Sequence, residues 1–255
     1  DVIELHVKSH GDTMITQTEL AKLTALAMDE VVRDVKELEE QKLVKTFAMK
    51  KDTYVWHRDS ERQARERLLH ALEEYEKKYP YRYGMKKAEV QMTFFKKWKP
   101  NVFDRYVTVL EEEGVLRRVE EFLSTPDFQV RKDNVYDKVS SVILKTVREA
   151  GFDFVRYSDM EFGSVPREVA DDILNILLEE KQIVRVTDDM CTLTEYMEQA
   201  KEKISEKLNV NRVITIAEVR DMFGTSRKSA KPILEYMDSI KVTKKTGAES
   251  ERVKY

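Results

Sequence analysis

Near the C-terminal end a group of cationic and hydroxyl side chains follows a glycine: Gly224, Thr225, Ser226, Arg227 and Lys228, with Lys231 one turn further on. An arginine offers a planar fork to a base edge or a phosphate, lysines supply point charges, and a serine hydroxyl suits a phosphate oxygen. Set at the start of a helix, where free amides also point outward, these groups suit nucleic acid. The flanking pattern predicts such a helix. Val219, Met222 and Phe223 lie on one helical face of Ala217–Phe223, Gly224 stands where a C-terminal cap belongs, and Thr225 and Ser226 can accept hydrogen bonds from the first free amides of a second helix. That helix turns apolar at Ile233, Leu234 and Met237. Helix, tight turn, helix is the helix-turn-helix order. Pro232, inside the second helix, either bends it or moves its start toward Ser229.

A phrase recurs along the chain: LEEQKLVK from Leu38, LEEEGVLR from Leu110, LEEKQIVR from Leu178 and a degenerate MDSIKVTK from Met237, at intervals of 72, 68 and 59 residues. Each closes a helical pattern and opens a β-branched one, which predicts four tandem copies of a small helical domain with a hairpin. Each copy reads as a winged helix. The fold class expected is therefore mostly α with small β wings, four winged helices in an elongated, monomeric array over residues 1–58, 59–131, 132–193 and 194–255. In the second copy, strands are expected at Leu116–Phe122 and Phe128–Arg131 around Pro126. In the third, a strand is expected at Phe154–Tyr157 and a helix at Ser158–Phe162, with a further helix starting at Pro166. One or two residues join neighbouring copies, which predicts a stiff array with a hinge only near Lys132–Asp133.

Composition narrows the function. Apolar residues make up 41% and charged residues 36% of 255, which fits several small cores better than one large one. With no run of about 18 apolar residues and no cationic leader, neither a membrane span nor a secretory signal is expected. The single cysteine, Cys191, excludes an internal disulfide framework and a cysteine-based zinc site, so a cytoplasmic location is the default. Net charge is −3, yet residues 194–255 hold 13 basic and 10 acidic side chains, so positive charge gathers where the helix-turn-helix is.

The remaining candidates read more simply. His6 and His10 share a helix face, but no third ligand accompanies them, so a solvated face is the better reading and no metal is expected. No nucleophile pattern surrounds His57 or His70, and nothing supports catalysis. Tyr75, Tyr79, Tyr81 and Tyr83, mixed with Arg82, Lys86 and Lys87, read as packing between small domains rather than as a stacking platform for bases. Lys96, Lys97, Trp98 and Lys99 form a basic knot that suits docking, with RNA backbone as one partner. The glutamate runs at 39–40, 111–113 and 179–180 read as solvated faces. The third helices of the first three copies open without an Arg-Lys pair, so those copies are expected to be spacers or protein-contact modules.

The run ITIAEVRDMFGTSRKSAKPILEYMDSIKVTKK resembles the last winged helix of the bacterial selenocysteine-specific elongation factor, in its GTSRK turn, its LEYMD run and its VTKK strand start. It departs from that family at Lys241, where glycine is usual, and in a longer, more polar wing over residues 246–255. The resemblance implies RNA rather than duplex DNA: family members grip a messenger-RNA hairpin, the selenocysteine insertion element, while their upstream part holds selenocysteyl-tRNA and delivers it to the ribosome at a UGA codon. It carries the RNA-facing turn to Thr225, Ser226, Arg227 and Lys228, with Arg220 and Lys231 as supports. It also implies that GTP and magnesium belong to an upstream GTPase region, so this chain is expected to be no enzyme and to need no cofactor. A DNA regulator or a protein-interaction array are the alternatives; the first would need a basic third helix in several copies or a dimerisation element, and the chain has neither.

The seven glycines, at 11, 84, 114, 151, 163, 224 and 247, are too widely spaced for a phosphate loop. The chain is therefore expected to bind no GTP, and micromolar binding in titration calorimetry overturns that expectation.

Overall fold

The computed structural model describes residues 1–255. The first copy runs α1 (Val2–Ser9), β1 (Ile15–Thr16), α2 (Gln17–Thr24), α3 (Met28–Glu40), β2 (Val44–Ala48) and β3 (Thr53–His57). The second repeats this order with α4 (Arg58–Lys78), β4 (Met85–Lys86), α5 (Lys87–Phe94), α6 (Pro100–Glu112), β5 (Arg117–Val119) and β6 (Phe122–Ser124). The third has α7 (Asn134–Ala150), α8 (Arg167–Glu179), β7 (Ile183–Thr187) and β8 (Met190–Leu193). The fourth has α9 (Thr194–Val210), β9 (Ile214–Thr215), α10 (Ile216–Phe223), α11 (Arg227–Ser239), β10 (Thr243–Lys245) and β11 (Glu251–Lys254). In the first, second and fourth copies the short strand pairs antiparallel with the second strand of the hairpin, giving three-stranded sheets ordered β1-β3-β2, β4-β6-β5 and β10-β11-β9. No helix is long and apolar enough to cross a membrane.

One device ends the third helix of every copy. Lys42, Gly114, Lys181 and Lys241 take φ of 60°, 69°, 58° and 58°, the left-handed conformation. The next amide then bonds back to the carbonyl five residues earlier: Leu43 to Leu38 at 2.9 Å, Val115 to Leu110 at 2.9 Å, Gln182 to Leu177 at 3.0 Å and Val242 to Met237 at 2.9 Å. This six-to-one bond is the Schellman closure, and it turns the chain from helix into wing. It corrects the register of the third phrase by one residue, because Leu177 and not Leu178 stands with Leu38, Leu110 and Met237; all four are buried.

The glutamates just before that turn are not merely solvated. Glu39 accepts from the Thr46 amide at 3.0 Å and its hydroxyl at 2.7 Å, and Glu111 pairs with Arg118 at 3.4 Å, so each carboxylate holds its own wing. Glu113 pairs with Lys45 of the preceding copy at 2.6 Å.

Four expected elements differ. Leu116–Phe122 is not one strand and Phe128–Arg131 is not its partner: the second wing turns earlier, at Glu120 with φ 53°, so that Phe122 already lies in the second strand opposite Val119 and buried Leu123 lies opposite Met85. Phe154–Tyr157 forms only a single bridge, Arg156 to Met190. Ser158–Phe162 is not a helix but a 3-10 turn at Tyr157–Asp159, with α8 beginning at Arg167 after Pro166. The Arg167 guanidinium takes the carbonyls of Tyr157 and Met160 at 3.4 and 2.7 Å, and the Asp189 carboxylate takes the Ser158 amide at 3.0 Å, so backbone groups that a helix needs are already used.

The copies pack in pairs. The chain divides into compact units Asp1–Val130 and Arg131–Tyr255, beside the junction expected near Lys132. In the first unit Phe47 and Trp56 of the first wing enter the core of the second copy, with Trp56 against Trp98 at 4.9 Å and against Tyr106 at 5.3 Å. Beside them Glu61, 1% exposed, accepts from the Tyr106 hydroxyl at 3.1 Å and lies 3.8 Å from Lys45. Burial, with the Glu61 charge behind it, holds the Tyr106 phenol in its neutral form. In the second unit Phe154, with Val184, Val186 and Met190 of the third copy, packs against the core of the fourth.

Lys42 is exposed and left-handed, so Lys42→Gly should raise the stability of the first unit by roughly 1 kcal/mol, and Gly114→Lys should lower it by a similar amount. Denaturant midpoints measure both; unchanged midpoints in the two variants would show that the left-handed turn is unstrained.

Candidate nucleic-acid interface

The helix-turn-helix of the fourth copy forms as its residue types require. Thr215 caps α10 by accepting from the Glu218 amide at 3.2 Å, and Ile216 and Val219 face the core. Gly224 closes α10 at φ 61°, ψ 36°, and the Thr225 amide returns to the Arg220 carbonyl at 3.0 Å. A Cβ on Gly224 would meet nothing within 4 Å, so backbone conformation alone selects glycine. α11 starts at Arg227, runs through Pro232 unbroken, and buries Ile233, Leu234 and Met237. Of the two outcomes open for Pro232, a start moved to Ser229 is excluded. Because proline has no amide hydrogen, the Lys228 carbonyl receives no bond from position 232.

The six residues singled out by sequence fall into two groups. Ser226, Arg227 and Lys228 are exposed; Ser226 is the N-cap but its side chain caps nothing, and neither cation has an ion-pair partner. The other three are engaged. Thr225, expected to cap α11, instead directs its hydroxyl away, 2.8 Å from the Phe152 carbonyl and 2.6 Å from the Asp153 carboxylate. Arg220 pairs with Asp221 at 2.9 Å, which holds its guanidinium more firmly charged and the Asp221 carboxyl below its ordinary range. Lys231 lies 3.7 Å from Glu249 and 3.9 Å from Glu235. The free surface is thus one hydroxyl and two cations at the start of α11.

Residues that sequence reasoning passed over hold this surface in place. The loop before the degenerate third-copy strand packs under the turn: Phe152 lies 4.5 Å from Phe223, and the Phe154 amide donates to buried Ser229 at 3.3 Å. A cleft of about 780 Å3 is lined by Lys228 together with Phe154, Arg156, Asp159, Glu161 and Met190 of the third copy.

The wing is clamped by a buried arginine. Arg252 pairs with Ile214 across the sheet, at the position where the first and second copies have Val55 and Leu123, and it is 0% exposed. Its guanidinium donates to Asp238 at 2.8 Å and to the Glu249 and Glu251 carbonyls at 2.7 and 3.0 Å, while Thr243 donates to the other Asp238 oxygen at 2.6 Å. One carboxylate at the end of α11 therefore holds both wing strands. The visible signal was an arginine in the alternating stretch of β11, where a valine or leucine belonged.

Fold and site together define a tandem winged-helix protein in which the last helix-turn-helix presents unpaired cations at the start of its second helix. Residues 206–249 and 69–124 each match a family model described as "Elongation factor SelB, winged helix". A selenocysteine-specific elongation factor of Desulfomicrobium baculatum is 24% identical over 181 residues, 70% of this chain and 28% of that protein, so the chain spans well under half of its relative. Among solved structures, the mRNA-binding domain of elongation factor SelB from E. coli in complex with SECIS RNA is 18% identical, with 46% of this chain and 97% of that one covered at a TM-score of 0.39. A bacterial selenocysteine-specific elongation factor, EF-Sec, is 17% identical over 82% of this chain and 32% of that one, at a TM-score of 0.44.

Because Asp238 would be left beside a vacated, buried site, Arg252→Leu should destabilise the second unit by about 3 kcal/mol, and adding Asp238→Ala should restore a large part of it. Denaturant unfolding of both variants checks this; a neutral Arg252→Leu would mean that the clamp contributes nothing net.

Proposed function

We propose that the chain is the messenger-RNA hairpin-binding region of a selenocysteine-specific elongation factor, tethering the factor and its selenocysteyl-tRNA to the message so that UGA is recoded on the ribosome. One observation carries the proposal: within a SelB-type winged helix, Arg227 and Lys228 open α11 exposed and without acidic partners. An A-form major groove is too deep and narrow for such a helix, so the contact is with a loop, a bulge or the backbone. Arg227 reads an unstacked base or grips a phosphate bidentately, while Lys228, with Ser226, contacts phosphate. Arg220, Thr225 and Lys231 support: Thr225 anchors the turn, and the other two exchange a carboxylate for a phosphate at the edge of the footprint.

The chain acts as a monomeric binding module in the cytoplasm, with no metal or cofactor of its own. No guanine-nucleotide site is expected in it, because its seven glycines are too widely spaced along the sequence for a phosphate loop. The GTPase, with its GTP and magnesium, belongs to another part of the longer factor.

Three variants test the division of labour. Lys228→Ala should weaken a cognate hairpin and a loop variant alike and lower the salt slope by about one unit. Arg227→Ala should cost about 1–3 kcal/mol and shrink the preference for the cognate hairpin. Arg227→Lys should recover general binding but little of that preference. If Arg227→Lys keeps the full ratio of affinities, the arginine acts as charge alone, and if the unmodified chain prefers duplex DNA to either hairpin, the RNA reading is wrong.

A further inference from the structure

The second copy carries its cations differently. α6 is the counterpart of α11, but it starts at Pro100, so the lysines lie in the turn before it: Lys96, Lys97 and Lys99, the last being the N-cap. All three are exposed, and none has an ion pair or a side-chain hydrogen bond, whereas the neighbouring Lys87 is held by Asp104 at 2.6 Å and Lys86 by Glu121 at 3.6 Å.

Trp98, between them, makes this turn rigid. It is 8% exposed, its indole donates to the Asp12 carbonyl at 2.8 Å, and its ring packs against Trp56 and Phe95 at 4.9 and 4.8 Å. With that one side chain driven into the core shared by two copies, the flanking lysines face water from a fixed backbone. Their charge is thus presented without the ordering cost of a loose loop. The first turn of α6 holds no acid to oppose it, and the outward side of the helix continues with exposed Asn101 and Asp104 and half-buried Arg105 and Thr108, the Asp104 carboxylate being neutralised by Lys87. Arg105 also has no ion pair, and its buried Nε makes no hydrogen bond. Protein interfaces are depleted in lysine and rich in aromatic and apolar anchors, while on this helix pair Met92 is the sole large apolar side chain exposed.

We infer that the Lys96–Lys99 turn, with the outward face of α6, is a second nucleic-acid surface: it grips the phosphate backbone of a duplex RNA segment without reading its sequence. Clustered lysines act as point charges that neutralise phosphates and release counterions, and the turn offers no planar fork for a base. This goes beyond the expectation that the second copy is a spacer or protein-contact module, and takes RNA backbone as the partner of its lysine knot. The inference stands apart from the hairpin reading, because it concerns another copy and another readout.

The test uses the full chain and a plain RNA duplex of unrelated sequence. The triple variant Lys96→Ala, Lys97→Ala, Lys99→Ala should bind the duplex about tenfold more weakly at low salt and flatten the salt dependence by about two to three units, one for each phosphate no longer neutralised. Its preference for a cognate hairpin over a loop variant should be unchanged, as should the fluorescence of Trp56 and Trp98, which reports intact packing. Arg227→Ala with Lys228→Ala should leave the two-to-three-unit component in place. Wild-type duplex affinity and slope in the triple variant would overturn the inference. So would displacement of the duplex by polyglutamate at equal charge concentration, which would assign the turn to an acidic protein instead. A missing hairpin preference in the unmodified chain would count against the hairpin reading alone.

Discussion

A winged helix of about sixty residues buries too little apolar surface to stand securely alone, and this constraint shapes both halves of the molecule. The copies answer it by sharing cores in pairs. Phe47 and Trp56 leave the first wing and enter the second copy, where they meet Trp98 and Tyr106 edge-on at 4.9 to 5.7 Å. Such pairs contribute about 0.5–1.5 kcal/mol each beyond the area they bury. In the second unit the third copy supplies Phe154 and its wing to the fourth. A hairpin that would be a free wing elsewhere is here half of a domain interface.

Pairing also decides where the binding groups point. The fourth helix-turn-helix rests on the loop of its neighbour through Phe152, Thr225 and Ser229, so the start of α11 is positioned by two copies together. The third copy has given up its second helix and most of its short strand, and the segment left over is the one that docks there. Loss of a regular element and gain of a docking surface are the same change. In the first unit Trp98 does the corresponding work for the lysine turn.

The repeat keeps its backbone devices and varies its polar ones. Every copy ends its third helix with a left-handed residue and a six-to-one bond, whether glycine or lysine stands there. Behind that turn the acid changes partner: Glu39 holds a threonine, Glu111 an arginine on the wing surface, and Asp238 a buried arginine. A buried pair is weak as a source of stability but costly to break on one side, which suits a wing that must keep a fixed angle to its helix. In the first, second and fourth copies the residue after the buried one that closes the helix is an acid that reaches the wing, whereas in the third that place is taken by Leu178.

Local determinants were readable from the residues alone: the four-fold repeat, the helix-turn-helix at the end, Gly224 as a cap, and an exposed Arg227 and Lys228, all of which depend on contacts within about five residues. The third phrase could be misaligned by one position, because adjacent leucines at 177 and 178 look alike until burial separates them. Outcomes that hang on distant partners were not readable. Arg167 and Asp189 take the backbone groups of a would-be helix, Asp153 claims the Thr225 hydroxyl, and Asp238 makes room for an arginine inside a sheet. Whether a lysine is free or paired, and whether a turn is loose or pinned by a tryptophan reaching a carbonyl 86 residues away, is settled by which surfaces meet. Propensity and spacing act along the chain, whereas desolvation and charge pairing act through space, so only tertiary structure divides six candidate side chains into three that are available and three that are already held.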